Sequence, residues 1–473
     1  MKKRILFVNP PSGLFVRDDR CQSSVEDFLV AIPRPPHELL IMATILESAG
    51  HTVMVRDYPI MKKSFIEYAL DLESFAPDIV VINATIPSLV KDIECAKIAK
   101  RQAFETTVVL RCGMIEPIAR DVMHAEPDID MIIYGESDFS LREILQGSTI
   151  AAVPGLFYRN GGVIEQTAAR PYLQDLDSLP IVNRRLIDNN AYIRPDSGRP
   201  LGLIEVSRGC PYSCIFCLTP STYGHGHRRR SPQSIVKEIA LCVTEYGIRD
   251  FHLKSDLFSA HHEWVHELCD EIIKSGLSIS WFANSRVDSV NKKLLRHMKE
   301  SGCFAVSFGV ESGSQEILDK MHKKITIDEI HKAFSLCKEL KIETYAYFII
   351  GFPWDTRETI EESVTLAMRI DPNYVDFFFP YVFYGTPLYD ICRDMGLMHD
   401  ITYTELQKGS YVAVQFPTTT LSTEELARLR KKAMQRFYLR PRFIMKTLLR
   451  CKNLRELLAV MRYGLSTFKK MVR

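Results

Sequence analysis

Short apolar runs alternate with helical patterns along this chain, in two separate series. Each run is shorter than a helix of the interior needs, and most are rich in β-branched residues, so they read as strands. The first series holds five, in KRILFVNPP, HTVMVRDYP, PDIVVINATI, TTVVLRCG and DIDMIIYGES. Helical patterns lie between them, such as PPHELLIMATILESAG, which Gly50 is placed to cap, and VKDIECAKIAKR. This alternation predicts a doubly wound parallel sheet. Ligands of such sheets sit beyond the carboxyl ends of the strands. The loops there are Asn9–Pro11, Asp57–Pro59, Asn83–Pro87, Cys112–Met114 and Gly135–Ser137. No G-x-G-x-x-G follows the first strand, which argues against a dinucleotide.

A linker is expected over 147–200, with VPGLFYRNGGVIEQ as a hairpin and then the polar LQDLDSLPIVNRRL. The second series follows, with strands near Leu203–Ser207, Asp250–Lys254, Ser278–Ala283, Ala305–Val310, Glu343–Ile350 and Tyr374–Tyr381. Six strand–helix repeats predict a partial (β/α)6 barrel of TIM type, with its chemistry at the strand C-termini. The fold class is therefore α/β: an N-terminal doubly wound parallel sheet (1–146), a partial barrel (201–390) and a helical, basic C-terminal region (391–473).

RGCPYSCIFC, at 208–217, follows the first barrel strand and sets Cys210, Cys214 and Cys217 within eight residues. Three thiolates at this spacing suit metal. A structural zinc site wants a second ligand pair, and none is visible. Iron–sulfur clusters are held by cysteine thiolates, commonly four, so three leave one iron open. Zinc and ligand-free buried cysteines are the two bland alternatives.

The C-x3-C-x2-C motif, with Phe216 before its last cysteine, resembles that of the radical S-adenosylmethionine (SAM) enzymes. The blocks FHLKSDLFSAHHEWVHELCDEI, WFANSRVDSVNKKLLRHMKESGC, VSFGVESGSQEILDKMHKK, FIIGFPWDTRETIEES and FPYVFYGTPLYD continue the likeness over roughly residues 200–390. The resemblance implies a [4Fe-4S] cluster on the three cysteines. Its open iron would chelate SAM, which one electron cleaves to methionine and a 5′-deoxyadenosyl radical. It further implies that Glu311 and Ser312, with Gly313, meet the ribose and amino group of SAM. Arg286 would pair with its carboxylate, and the FIIGFP segment around Gly351 would read adenine. Flavodoxin or ferredoxin would be the electron donor.

A doubly wound domain ahead of such a barrel resembles the cobalamin-binding radical SAM enzymes. The matching stretches are NPPSG, RPPHELLIMATILESAGHTVMVRDYP and DIDMIIYGESDFSLREIL. This implies cobalamin between the two domains, met by Asn9, Pro10, Tyr58, Asn83, Thr85, Gly113, Gly135 and Glu136. The D-x-H-x-x-G signature is absent, RCGM stands where Gly-Gly is expected, and GESD where Gly-Glu-Gly-Glu is more usual. Methylation of an unactivated carbon or phosphorus centre is the leading expectation. Cyclisation, ring contraction or oxidation is the alternative, and a non-catalytic metal-loop protein that of another class. Methylthiotransferases are disfavoured, since Cys21, Cys95 and Cys112 are dispersed. Tyr345, Tyr347, Tyr381 and Tyr384, near strand ends, line either a substrate pocket or the core. HGHRRR at 225–230 reads as a solvated basic turn or as a contact for an anionic substrate or cofactor phosphate.

Residues 436–473 hold eleven Lys or Arg and one acidic residue, Glu456, among apolar positions. Leu448, Leu449, Leu454, Leu457, Leu458 and Met461 have helical spacing. Such a pair of helices packs on the barrel or lies peripherally on an anionic membrane, where a lipid-like substrate would meet it. No base-reading module accompanies the charge, so nucleic acid is not an expected partner. The net charge of +2 gives no direction. The opening apolar run is only Ile5–Val8, and no stretch approaches the roughly 18 residues that span a bilayer. A cytoplasmic chain with reduced thiols is expected, placed at the inner face of the membrane if the tail binds there.

Overall fold

The structure, a computed structural model, describes residues 1–19, 21–24, 32–409 and 416–449, with positions 457, 458, 460, 461 and 464 beyond. The N-terminal unit is one sheet. Its strands include β1 (Arg4–Asn9), β4 (Thr52–Asp57), β5 (Ile79–Asn83), β6 (Thr107–Arg111) and β7 (Met131–Ile133), and between β1 and β4 a separate hairpin pairs β2 (Phe15–Asp18) with β3 (Cys21–Ser24). The first five are parallel in the order β4-β1-β5-β6-β7, as the alternation predicts. In this flavodoxin-like order the connections reverse direction between β1 and β5, so a crevice opens beyond Asn9 and Asn83. Every residue of β5 is buried, as a strand covered on both faces requires.

The expected linker is instead part of that unit. Its hairpin, β8 (Leu156–Asn160) and β9 (Val163–Gln166), adds to β7 in antiparallel fashion and completes a seven-stranded sheet. Leu156, Phe157 and Tyr158 are apolar and buried, which is what recruits the segment. The rest of 147–200 is tied down as well: Asn183 donates its backbone N–H to Thr44 and its amide to Glu47. The β2–β3 hairpin was not expected, because its short mixed-polarity runs carry no strand periodicity.

The second sheet holds β10 (Leu201–Glu205), β13 (Asp250–Lys254), β14 (Ser280–Ser285), β15 (Cys303–Glu311), β16 (Glu343–Ile349) and β17 (Tyr374–Phe378). All pair in parallel and in chain order, which is the expected partial barrel. Between its first two strands, β11 (Ser207–Arg208) pairs with β12 (Arg228–Arg229) and closes the cysteine loop at its neck. The basic turn is therefore not simply solvated: Arg228 pairs with Glu136 and buried Arg230 with Glu238.

The C-terminal region stitches the two units. The helix Thr423–Tyr438 packs Leu426, Met434 and Phe437 into the barrel's core. Tyr403, on the helix Tyr403–Gln407, bonds Glu126 of the N-terminal unit at 2.7 Å. One hydrophobic cluster joins Ile215, Phe352 and Leu388 with Leu6, Ile82 and Ile132, so the units share a core.

Candidate active site

Gly209 begins the cysteine loop at φ +88°, and a Cβ there would lie 2.0 Å from the carbonyl oxygen of Gly226. Only glycine allows this crossing of the two arms. Gly209 N–H donates to Asp256 at 2.7 Å, and Cys210 N–H to the Gly224 carbonyl at 3.3 Å. A turn closes from Cys217 N–H to the Cys214 carbonyl at 3.1 Å, and Ile215 N–H reaches Met321 O at 3.1 Å. The loop is thus fixed largely by backbone bonds. Cys214 is buried and Cys210 and Cys217 half-buried. Burial pushes the Cys217 thiol up to about 12 and raises that of Cys210.

Three further strand ends lie around the cysteine loop. Arg286 directly follows β14, with Nη1 3.8 Å from the Cys214 sulfur and its guanidinium 3.7 Å above the Tyr212 ring. Its fork is held by Asp288 at 2.9 Å on two nitrogens, and Nη2 also donates to Lys323 O at 2.6 Å. Arg286, expected to meet a ligand carboxylate, is paired with the chain's own Asp288. Glu311 ends β15 at φ +66°, where the register shifts between Gly309 and Glu311. This uncommon conformation turns its carboxylate onto Lys323 Nζ at 2.7 Å, in a buried pair. Burial works against the Lys323 charge, yet Glu311 and the nearby Cys214 sulfur raise its pKa.

Ser312 is buried and bonds the N–H of Ser314, while Gly313 N–H donates to Ser363 at 2.8 Å. Beyond β16, Gly351 at φ +98° and Phe352 both donate their N–H to Asp355, at 2.8 and 2.9 Å. Phe216 meets the Phe352 ring edge to face at 5.7 Å, joining the cysteine loop to that turn. The barrel thus brings Cys210, Cys214, Cys217, Phe216, Arg286, Glu311, Ser312 and Gly351 to one end. Lys323 and Asp288 were missed. Asp288 stands two residues after Arg286, a spacing that could have flagged it, whereas nothing in the sequence ties Lys323 to Glu311 twelve residues before it.

Among the described residues no three His, Cys, Asp or Glu side chains gather where a single metal ion could be held. A cubane does not require that, because each thiolate takes a separate corner iron. Three thiols on one pinned loop, with Arg286 and Lys323 to offset thiolate charge, fit such a cluster.

The N-terminal strand ends form the opposite wall. Asn83 Nδ2 donates to Asn9 Oδ1 at 2.9 Å. Pro10 is buried beside them. Thr85 N–H donates to Asp92 at 3.2 Å, and Gly135 N–H to Gly113 O at 3.1 Å. Glu136 binds Arg228 at 2.5 Å and Leu173 N–H at 2.7 Å. Tyr58 is a correction: it is wholly buried, bonds Asp71 at 2.8 Å and packs edge-on against Tyr68 in the core. A cavity between the units is lined by Asn9, Asp57, Asn83, Phe15, Leu203 and Lys254.

The β2–β3 hairpin covers these loops. Gln22 accepts from Ile86 N–H at 2.9 Å, Asp19 from Gly113 N–H at 3.2 Å, and Arg17 pairs with Asp92 at 2.9 Å. Asp19 also pairs with buried Arg111. Of the groups expected to meet cobalamin, Gly113 is bonded to the hairpin, while Asn9, Asn83, Thr85, Gly135 and Glu136 bond elsewhere in the chain. Of the four tyrosines, Tyr345 is buried and stacked on Tyr374 at 4.8 Å, while Tyr381 stacks on Phe383 at 6.0 Å.

Residues 204–367 match the family model of the Radical SAM superfamily. An uncharacterised methyltransferase of Pyrococcus horikoshii is 29% identical over 447 residues, 94% of each chain. An anaerobic magnesium-protoporphyrin IX monomethyl ester cyclase of Cereibacter sphaeroides is 29% identical over 424 residues, 86% of this chain and 67% of that one. Among solved structures, the radical S-adenosylmethionine methyltransferase TsrM from Kitasatospora setae, with cobalamin and a [4Fe-4S] cluster bound, superposes with a TM-score of 0.69. It is 20% identical, covering 85% of this chain and 80% of that one. The chain therefore carries a radical SAM domain within this two-unit fold.

Proposed function

We propose, from the radical SAM domain that this chain carries, that it is a cobalamin-dependent radical SAM methyltransferase acting on an unactivated carbon or phosphorus centre. The [4Fe-4S] cluster and SAM would supply radical chemistry, and cobalamin the methyl group. The observation that carries this reading is the convergence of Arg286, Lys323 and Glu311 on the Cys214 loop.

In this reading Cys210, Cys214 and Cys217 hold the cluster, and Arg286 steadies Cys214 while gripping Asp288. Glu311, Ser312 and the Gly351–Phe352 turn ring the place for SAM. Lys323 holds the Glu311 carboxylate in a buried ion pair beside the site. Asn9, Asn83, Thr85, Gly113, Gly135 and Glu136 line the side on which a corrin would lie. Flavodoxin or ferredoxin serves as electron donor, and the substrate is a small or lipid-like molecule. The cyclase relative supports a second reading, in which the same radical chemistry closes a ring without methyl transfer.

The test is anaerobic purification with cobalamin supplied, followed by metal and product analysis. The proposal expects about four irons and about one cobalt per chain, and both S-adenosylhomocysteine and 5′-deoxyadenosine from SAM. Deoxyadenosine without S-adenosylhomocysteine, across substrates offered, supports the cyclase reading. Zinc in place of iron, with no SAM cleavage, overturns both.

A further inference from the structure

The helix Pro441–Leu449 is docked with the wrong face outward. A helix on a globular surface normally turns its apolar stripe inward. Here Ile444, Met445, Leu448 and Leu449 share one side by helical spacing, and they are 45%, 61%, 42% and 80% exposed. The opposite side makes the contacts with the protein. Phe443 packs on the rings of Phe437 at 5.4 Å and Tyr438 at 5.0 Å, and Lys446 Nζ reaches Asp371 at 3.3 Å. Arg440 holds the same carboxylate at 3.2 Å, so the helix is anchored from beneath by its polar side. Leu458 and Met461 further along are 58% and 50% exposed. The apolar side thus carries four large side chains that the described residues leave open.

Charge decides the occupant. Residues 436–473 carry eleven Lys or Arg against one Glu, although the whole chain is only +2. A second copy would bring the same basic segment against this one and repel it. An anionic lipid surface offers both complements, phosphate for the cations and acyl chains for the leucines. No described helix is long and apolar enough to cross a membrane, so contact at the surface is the mode that this helix fits. We propose that the outward face of Pro441–Leu449 is a docking surface for an anionic lipid bilayer. This goes beyond the radical SAM reading and does not rest on it.

The test is co-sedimentation of the full-length chain with phosphatidylglycerol-containing vesicles and with pure phosphatidylcholine vesicles. Binding is expected to the first, to be lost at high salt, and to be absent from the second. Met445→Glu/Leu449→Glu places charge on the exposed face and should weaken partitioning at least about tenfold. Both side chains point outward, so the urea midpoint should not move. Ile66→Glu, at an apolar position 73% exposed on a distant helix, should bind as wild type does. No sedimentation with anionic vesicles, or equal binding by the double variant, overturns the proposal. A concentration-dependent dimer in light scattering that the double variant abolishes also overturns it, by assigning the face to a second copy.

Discussion

Lys254 ends the second barrel strand, and its Nζ lies 2.6 Å from Oε1 of Glu38, in the first turn of the helix His37–Ser48 on the N-terminal sheet. The lysine is also 3.2 Å from Glu205 and 3.7 Å from Asp18. One buried cation is thus shared by three carboxylates from both units, at the crevice between them. Lys254→Met leaves these acids short of a cation in a buried place. Breaking a buried pair by removing one partner costs about 3–5 kcal/mol, and a loss of that size is expected in urea unfolding. Glu38 is only half-buried, so Glu38→Gln should cost less, and the two changes should not add.

Glu205 gives the same network a pH dependence. Burial works to raise its carboxyl, but Arg208 and Lys254 hold it well below the usual range. A carboxylate held low stabilises the fold above its ordinary pKa of 4.5 and loses that contribution as pH falls through the lowered value. Urea midpoints of wild type and Glu205→Gln should therefore differ most near neutrality. The gap should close only below about pH 4. A gap that closes between about pH 7 and about pH 5 would place the titration on another group.

The sequence carries the two strand series and the position of the cysteine loop plainly, because apolar periodicity and cysteine spacing are local signals. What it does not carry is what closes over them. The hairpin at 156–166 reads as a linker until its Leu156 and Phe157 are seen completing the sheet. Arg286 reads as a free fork until Asp288, two residues on, is seen holding it. Tyr58 sits at a strand end, but the short helix Tyr58–Met61 turns it into the core. Lys323 and Arg228 find their carboxylates 12 and 92 residues away, and no spacing rule announces such pairs. The expectation for Leu454 lies outside the described residues.

Arg286 tests the cysteine loop without removing a thiol. Its guanidinium stacks on Tyr212 while it grips Asp288 and approaches Cys214. Lysine keeps the charge but has no planar fork, so Arg286→Lys loses both the stack and the two-nitrogen hold. Partners that orient metal ligands typically matter about 10–100-fold for metal retention or activity. The variant should keep its unfolding midpoint near that of wild type and shed iron faster to a chelator. Unchanged iron release would reduce Arg286 to a packing residue.

The N-terminal crevice supplies the last expectation. The Ile86 and Gly113 amides follow two of its strand ends, and each is bonded to the β2–β3 hairpin through Gln22 or Asp19. A corrin that took those two amides would displace the Gln22 and Asp19 side chains. Cobalamin should therefore speed protease cleavage within 12–19, while the barrel's fragments stay protected. The comparison runs on the full chain with and without hydroxocobalamin, with cobalt bound measured in the same samples. Cobalt bound at about one per chain with an unchanged cleavage rate would mean that the corrin leaves the hairpin in place and lies on another face of the crevice. The hairpin would then be a fixed wall of the site, with Asp19 and Arg111 as its buried anchor.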